Sequence, residues 1–376
     1  MKTKNNLFSL GEFNKRHLIL YIFSPIAFLL LMLTYLYDDS NKNKLTETVQ
    51  TFTNYLGYIL IQGSIYLFFY LKRKILKKKQ DNIRIDKTID KPKILLLILM
   101  IITDLCLSVL IILLSKFKIR YTNLLFFEIV FLWIFSFIIL KLKIEKHHIL
   151  TLIIMIIGIF IMTDIFLPNR LKFNNLKSYL IVLGLILLHL INSIHFIIGH
   201  YIFYELEFHF YLGLLILGVI GVLFILLISF ISYLMKFKTI NLFNDFDEFL
   251  KKDKNIKDLI IYIVINSVIQ GLYYTSIWLV FKFFKPWYYG TTIIIDTIIF
   301  RIIGIIRKEN KDFQFFEIFL YIIVIFTTFI FNEQIICNFW GLNKNTKIEI
   351  INRANIDTVK LLNDEELSIE KDFYDD

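Results

Sequence analysis

Ten stretches of the chain run about 17 to 25 residues each with scarcely a charge in them, and that length limits what it can fold into. They cover 18–37, 55–71, 94–115, 121–140, 149–167, 179–199, 211–235, 259–281, 288–306 and 315–337. At 1.5 Å per residue, a helix of about 20 residues crosses roughly 30 Å of hydrocarbon. Backbone groups in lipid must be satisfied internally, so only helices and closed barrels can span it. A barrel needs short strands of alternating polarity, whereas these runs are solid Ile, Leu and Phe. With 57% of residues hydrophobic and a mean hydropathy of +0.65, the sequence reads as an all-α, multi-pass integral membrane protein.

The formal net charge of +10 is spread over the loops between apolar runs, which fits membrane-flanking charge rather than nucleic-acid binding. The densest segment, "KRKILKKKQDNIRIDKTIDKPK" (72–93), holds ten basic residues against three acidic. The positive-inside rule places that loop in the cytosol. Ten crossings then put both ends there, as a cytosolic N-terminal segment (1–17) and a cytosolic polar tail (338–376). The first apolar run ends without a small-residue cleavage site and is expected to be retained. A short interfacial helix is expected around "LFNDFDEFLKK" between runs seven and eight. Cys106 and Cys337 each lie in an apolar run, which suits buried thiols. No Walker A, GxSxG or CxxC element is present, so neither an enzyme nor a cofactor is expected.

Sliding the sequence by 168 positions aligns "YTNLLFFEIVF" (121–131) with "YGTTIIIDTII" (289–299). Tyr121 falls on Tyr289 and Glu128 on Asp296. The expected architecture is therefore ten transmembrane helices in two five-helix repeats, 18–167 and 168–337. Five being odd, the second repeat is inverted.

Within "YYGTTIIIDTIIFRIIG" (288–304), Asp296 and Arg301 interrupt an apolar run. A carboxylate at mid-membrane costs about 2.5–3.5 kcal/mol on insertion scales, so it normally faces a partner or a cavity. Arg301 is five residues on, roughly 7.5 Å along the axis and about 140° around it, so the two do not form a simple pair. Arg301 either snorkels to the membrane edge or meets an anionic substrate. Other runs carry polar faces. His189, Asn192, Ser193 and His200 share one, with His195 turned elsewhere. Asn266, Ser267, Gln270, Tyr273 and Tyr274 form another, and Asp104, Ser108 and Ser115 a third. These faces fit either a shared hydrated cavity or interhelical hydrogen bonds worth about 0.6 kcal/mol each. Taken as a set they favour the cavity. His147 and His148 are adjacent, a poor arrangement for aiming at one ion, and no metal site is expected.

The stretch Tyr289–Phe331, the "ITDL" at 102–105 and "NEQIICNFWGLNKNTKIEI" after the last run are similar to the drug/metabolite transporter superfamily. The likeness is to its EamA-like members, in the nucleotide-sugar-transporter-like branch of solute carrier family 35. Ninth spans of that branch look like "ATTxxxxD" closely followed by arginine. Here Thr291 and Thr292 precede Asp296 by one residue fewer, and Arg301 follows it by five positions rather than three. The resemblance covers runs three to ten and implies a ten-helix inverted repeat with a central cavity and alternating access. It implies transport of a small polar or anionic organic solute across an endomembrane (Golgi, endoplasmic reticulum, or vacuole and lysosome). The expected substrate-binding residues are Asp296, Arg301, Thr292, Glu128, Asp104, His200, Asn266 and Gln270. The expected partners are a small-molecule substrate and the lipid bilayer, with no nucleic acid and with homodimerisation left open. Two alternatives stand: a non-transporting membrane scaffold or receptor of the same fold, and a membrane-embedded transferase using His147, His148 or His200.

Overall fold

The computed structural model describes residues 8–10, 19–40, 46–77, 91–115, 125–166, 176–235, 241–251, 256–306, 315–338, 341–343, 346 and 350. Most of the segments 1–17 and 338–376, Tyr121 and the centre of the basic loop lie outside these residues. Within the described residues each apolar run lies mainly on a helix, the last of them running on past its helix into a strand. A π-helical turn (Ile19–Phe23) leads into α1 (Ser24–Ser40). There follow α2 (Glu47–Lys77), α3 (Lys91–Ser115), α4 (Leu125–Ile139), α5 (Lys146–Phe166), α6 (Leu176–His200) and α7 (Phe210–Leu234). Beyond these lie α8 (Leu242–Leu250), α9 (Ile256–Phe283), α10 (Tyr289–Ile306) and α11 (Phe315–Phe331). Among the described residues, four helical stretches are by length and composition able to cross a membrane: 91–114, 179–205, 210–234 and 259–283. The short helix expected near "LFNDFDEFLKK" is α8, packed against α7.

Helix starts follow from side chains that satisfy otherwise orphaned backbone N–H groups. Thr46 Oγ1 accepts from Val49 N–H at the start of α2, and Asn241 Oδ1 from Asn244 N–H at the start of α8. His209 Nδ1 accepts from Leu212 N–H to open α7. At α5, His148 Nδ1 reaches back to the Glu145 N–H at 3.1 Å, the reciprocal half of a capping box.

The helices pack around a core of large side chains, including Tyr55, Met100, Trp133, Trp278, Phe281 and Phe331. Helix α2 is held between α7 and α9; α3 and α4 both lie against α6; α1 lies against α9 and α10; α5 lies against α11. Large apolar residues such as Leu183, Leu223, Leu227 and Ile260 face outward, which is compatible with a lipid-facing surface. One element carries no sequence signal. A strand β1 (Phe8–Leu10) pairs antiparallel with β2 (Ile335–Cys337), matching Phe8 with Cys337 and Leu10 with Ile335.

Candidate functional site

Three carboxylates lie inside the helix assembly, on α3, α4 and α10, and each meets a polar side chain of α6 or α9. Glu128 on α4, 2% exposed, is the most fully engaged. Its Oε1 accepts from Asn192 Nδ2 at 2.7 Å, its Oε2 lies 3.1 Å from His189 Nδ1, and its backbone carbonyl accepts from Ser193 Oγ. The α6 face read from periodicity is thus gathered onto one residue, apart from His200. His200 instead donates from Nδ1 to the Phe281 carbonyl at 2.6 Å and stacks on Tyr204.

Asp104 on α3 meets His195 on the other face of α6, with Oδ1 3.4 Å from Nε2. Hydrogen-bond chemistry fixes the proton on the far side of that ring. Nδ1 lies against the Met100 carbonyl, which can only accept. It also lies against Thr103 Oγ1, whose own hydrogen is donated to the same carbonyl. Nδ1 therefore carries a hydrogen, and the contact between Nε2 and Asp104 is a bond only with a second proton between them. Nearby, the Tyr55 hydroxyl pairs with Ser108 Oγ at 2.7 Å.

Asp296 on α10, 5% exposed, accepts from the Tyr273 hydroxyl at 3.0 Å through Oδ2. Its other oxygen, Oδ1, is buried without a hydrogen-bond partner, and so is Asp104 Oδ2. Tyrosines connect the three acids: Tyr289 lies within electrostatic reach of both Glu128 and Asp296, and Tyr274 of both Asp104 and Glu128. Tyr58 accepts from Trp278 Nε1 and packs against Tyr274.

The other expected residues are placed less centrally. Thr292 bonds within its own helix, to the Tyr289 carbonyl, while its neighbour Thr291 accepts from Asn332 Nδ2 at the end of α11. Asn266 donates to Thr53 Oγ1 and joins α9 to α2. Gln270 is buried on α9. Arg301 belongs to α10, and its side chain lies outside the described residues.

A second polar group sits at one end of the assembly. Helix α11 ends in a Schellman turn, with Gln334 N–H bonded to the Phe329 carbonyl and Glu333 left-handed at φ 56°. That position favours glycine, and a residue with a Cβ costs about 1–2 kcal/mol there. Lys141, after α4, and Glu207, after the π-helical turn Tyr201–Glu205 that follows α6, are left-handed as well. The turn brings Glu333 Oε1 to 3.6 Å from His147 Nε2. The His147 and His148 rings lie 4.0 Å apart, and His147, His148 and Glu333 each offer a donor atom within 4.8 Å of the others. The expectation that adjacent histidines aim apart does not describe this geometry. A turn at the head of a helix lets both rings fold to one side. Burial pushes the pKa of His147 down, against the pull of Glu333 and Glu145. Burial, with His147 and Lys285 beside it, pushes that of His148 down to about 3. Both rings are then neutral near pH 7. Glu333 carried no signal in the sequence, because only the fold returns it to the start of α5.

No protein-family model matches the chain, and no curated protein matches it.

Proposed function

We propose that the chain is a ten-span carrier of the drug/metabolite transporter type. It would move a small polar organic solute between two inverted five-helix halves by alternating access. The observation that carries this reading is the pair of half-satisfied carboxylates. Asp104 Oδ2 and Asp296 Oδ1 are buried acceptors without partners, on helices from different halves. An unpaired buried polar atom is costly, and a bound solute bearing hydroxyl or amine groups would relieve that cost. Arg301, on the same helix as Asp296, would meet an anionic part of the solute.

The packing supports two related halves. Exchange maps α1–α5 onto α6, α7, α9, α10 and α11 in order. Under it, α3 on α6 becomes α9 on α1, α4 on α6 becomes α10 on α1, and α2 on α9 becomes α7 on α3. All six pairs are in contact. The β1–β2 pairing also holds the two ends of the helix array on one face, in keeping with an even number of crossings. The basic loop makes that face cytosolic, and an endomembrane is the proposed location.

A scaffold or receptor of the same fold is the second reading, and Glu128 favours it. Both of its oxygens are occupied by protein groups, as in a packing network. A thermal-shift panel of nucleotides, nucleotide sugars, phosphorylated metabolites and organic cations on detergent-purified protein separates the two. A ligand at 100 times its Kd stabilises by about 2.7 kcal/mol. A carrier gives such a shift with one class and loses it in Asp296→Asn and Arg301→Ala. No shift with any class, and unchanged stability in both variants, would select the scaffold.

A further inference from the structure

We propose that His147, His148 and Glu333 form a binding site for a divalent metal ion of the zinc type, joining the start of α5 to the end of α11. This does not depend on what the central carboxylates bind. The donor set of two imidazoles and one carboxylate leaves a fourth position for water, a combination that zinc accepts. The spacing suits it. Two donors about 2.1 Å from an ion at a tetrahedral angle stand about 3.4 Å apart, and His147 Nε2 and Glu333 Oε1 are 3.6 Å apart.

Two independent observations point to a ligand. His147 is 2% exposed, and neither of its ring nitrogens makes a hydrogen bond of good geometry in the protein, although a backbone group of Leu342 lies beside the ring. A buried imidazole with both nitrogens unbonded is rare, and a metal bond answers one of them. Glu333, in turn, occupies a left-handed position that glycine fills at no cost, and that conformation aims its carboxylate at the buried ring. The glutamate side chain is 26% exposed, so an ion has a route in from that side. His148 is the third donor. Its Nδ1 already accepts the Glu145 N–H and a backbone group of Phe331 lies beside the ring, so ligation exchanges one of these contacts for the metal. The ion would cross-link helices from the two proposed halves at the face where β1 meets β2.

The test uses full-length protein in detergent, titrated with Zn2+ in the presence of a competing chelator and with Co2+ followed by its visible absorption. Wild type should bind one ion tightly, give intense tetrahedral Co2+ bands and unfold at a higher temperature with Zn2+. Glu333→Gly removes the carboxylate and relieves the left-handed strain, so it should fold at least as well yet lose at least about tenfold in affinity. His147→Ala should lose the bands. Glu207→Gly, which relieves the same strain at another helix end, should bind like wild type. Failure of wild type to bind, or equal binding by wild type and Glu333→Gly, would overturn the site.

Discussion

Glu128 shows how a single buried carboxylate can organise several helical residues, because Asn192, His189 and Ser193 all converge on it from α6. Removing its carboxylate strands Asn192 and His189 in an apolar interior, while Ser193 keeps the backbone carbonyl, and truncating one member of a buried charged network typically costs about 3–5 kcal/mol. Glu128→Ala should therefore lower thermal stability sharply in detergent. Glu128→Gln, which keeps an acceptor for Asn192, should lose clearly less. At this scale the sequence was half legible. A 100° periodicity puts His189, Asn192 and Ser193 on one face and turns His195 away from it. It does not say that Glu128 waits opposite the first face and Asp104 opposite the second, because those partners come from α4 and α3. His200 fell on the polar face by the same arithmetic, yet it serves the Phe281 carbonyl near the end of α9.

Helix α2 sets the closest packing. A Cβ on Gly57 would lie 2.3 Å from the Ser267 carbonyl oxygen, and one on Gly271 would lie 2.5 Å from that of Gly57. Both obstacles are backbone, so neither helix can yield without separating. Close approach through small residues is what holds apolar helices together in lipid, where burial of apolar surface gives no preference for a protein neighbour. Gly57→Ala should cost at least about 1–3 kcal/mol, or prevent folding. Gly63→Ala, whose Cβ meets only the tip of Leu215 at 3.4 Å, should stay within about 0.5 kcal/mol of wild type. Unfolding of the two variants in the same detergent checks this. No two of the 13 glycines lie four apart, and the motif at this contact is the less conspicuous Thr53-xxx-Gly57 against Ser267-xxx-Gly271. The helices themselves were legible because lipid demands long apolar runs. Their partners were not, since nothing in one run encodes which other run it touches.

For the whole molecule, the pairing of β1 with β2 makes a prediction about sidedness. Epitope tags fused at residues 1 and 376 should become accessible to protease together in sealed vesicles, on the face that carries the loop 72–93. Cleavage of one tag alone would contradict an even number of crossings. An expected orientation was readable from the positive charge in that loop. The strand pairing was not, because "FSL" and "IIC" are three-residue segments with no turn chemistry between them to signal a hairpin.

That pairing also bears on how the chain is made. Phe8 leaves the ribosome long before Cys337 exists, and at 5–20 residues per second the delay is on the order of tens of seconds. Throughout that time the first strand has an open edge and no partner. Its contacts join residues 8–10 to residues 335–337, so they form late and only after α11 is in place. A nascent chain halted before Ile335 would thus keep a loose leading end even with most of its helices inserted. Closure of this small ribbon waits for the segment that follows α11.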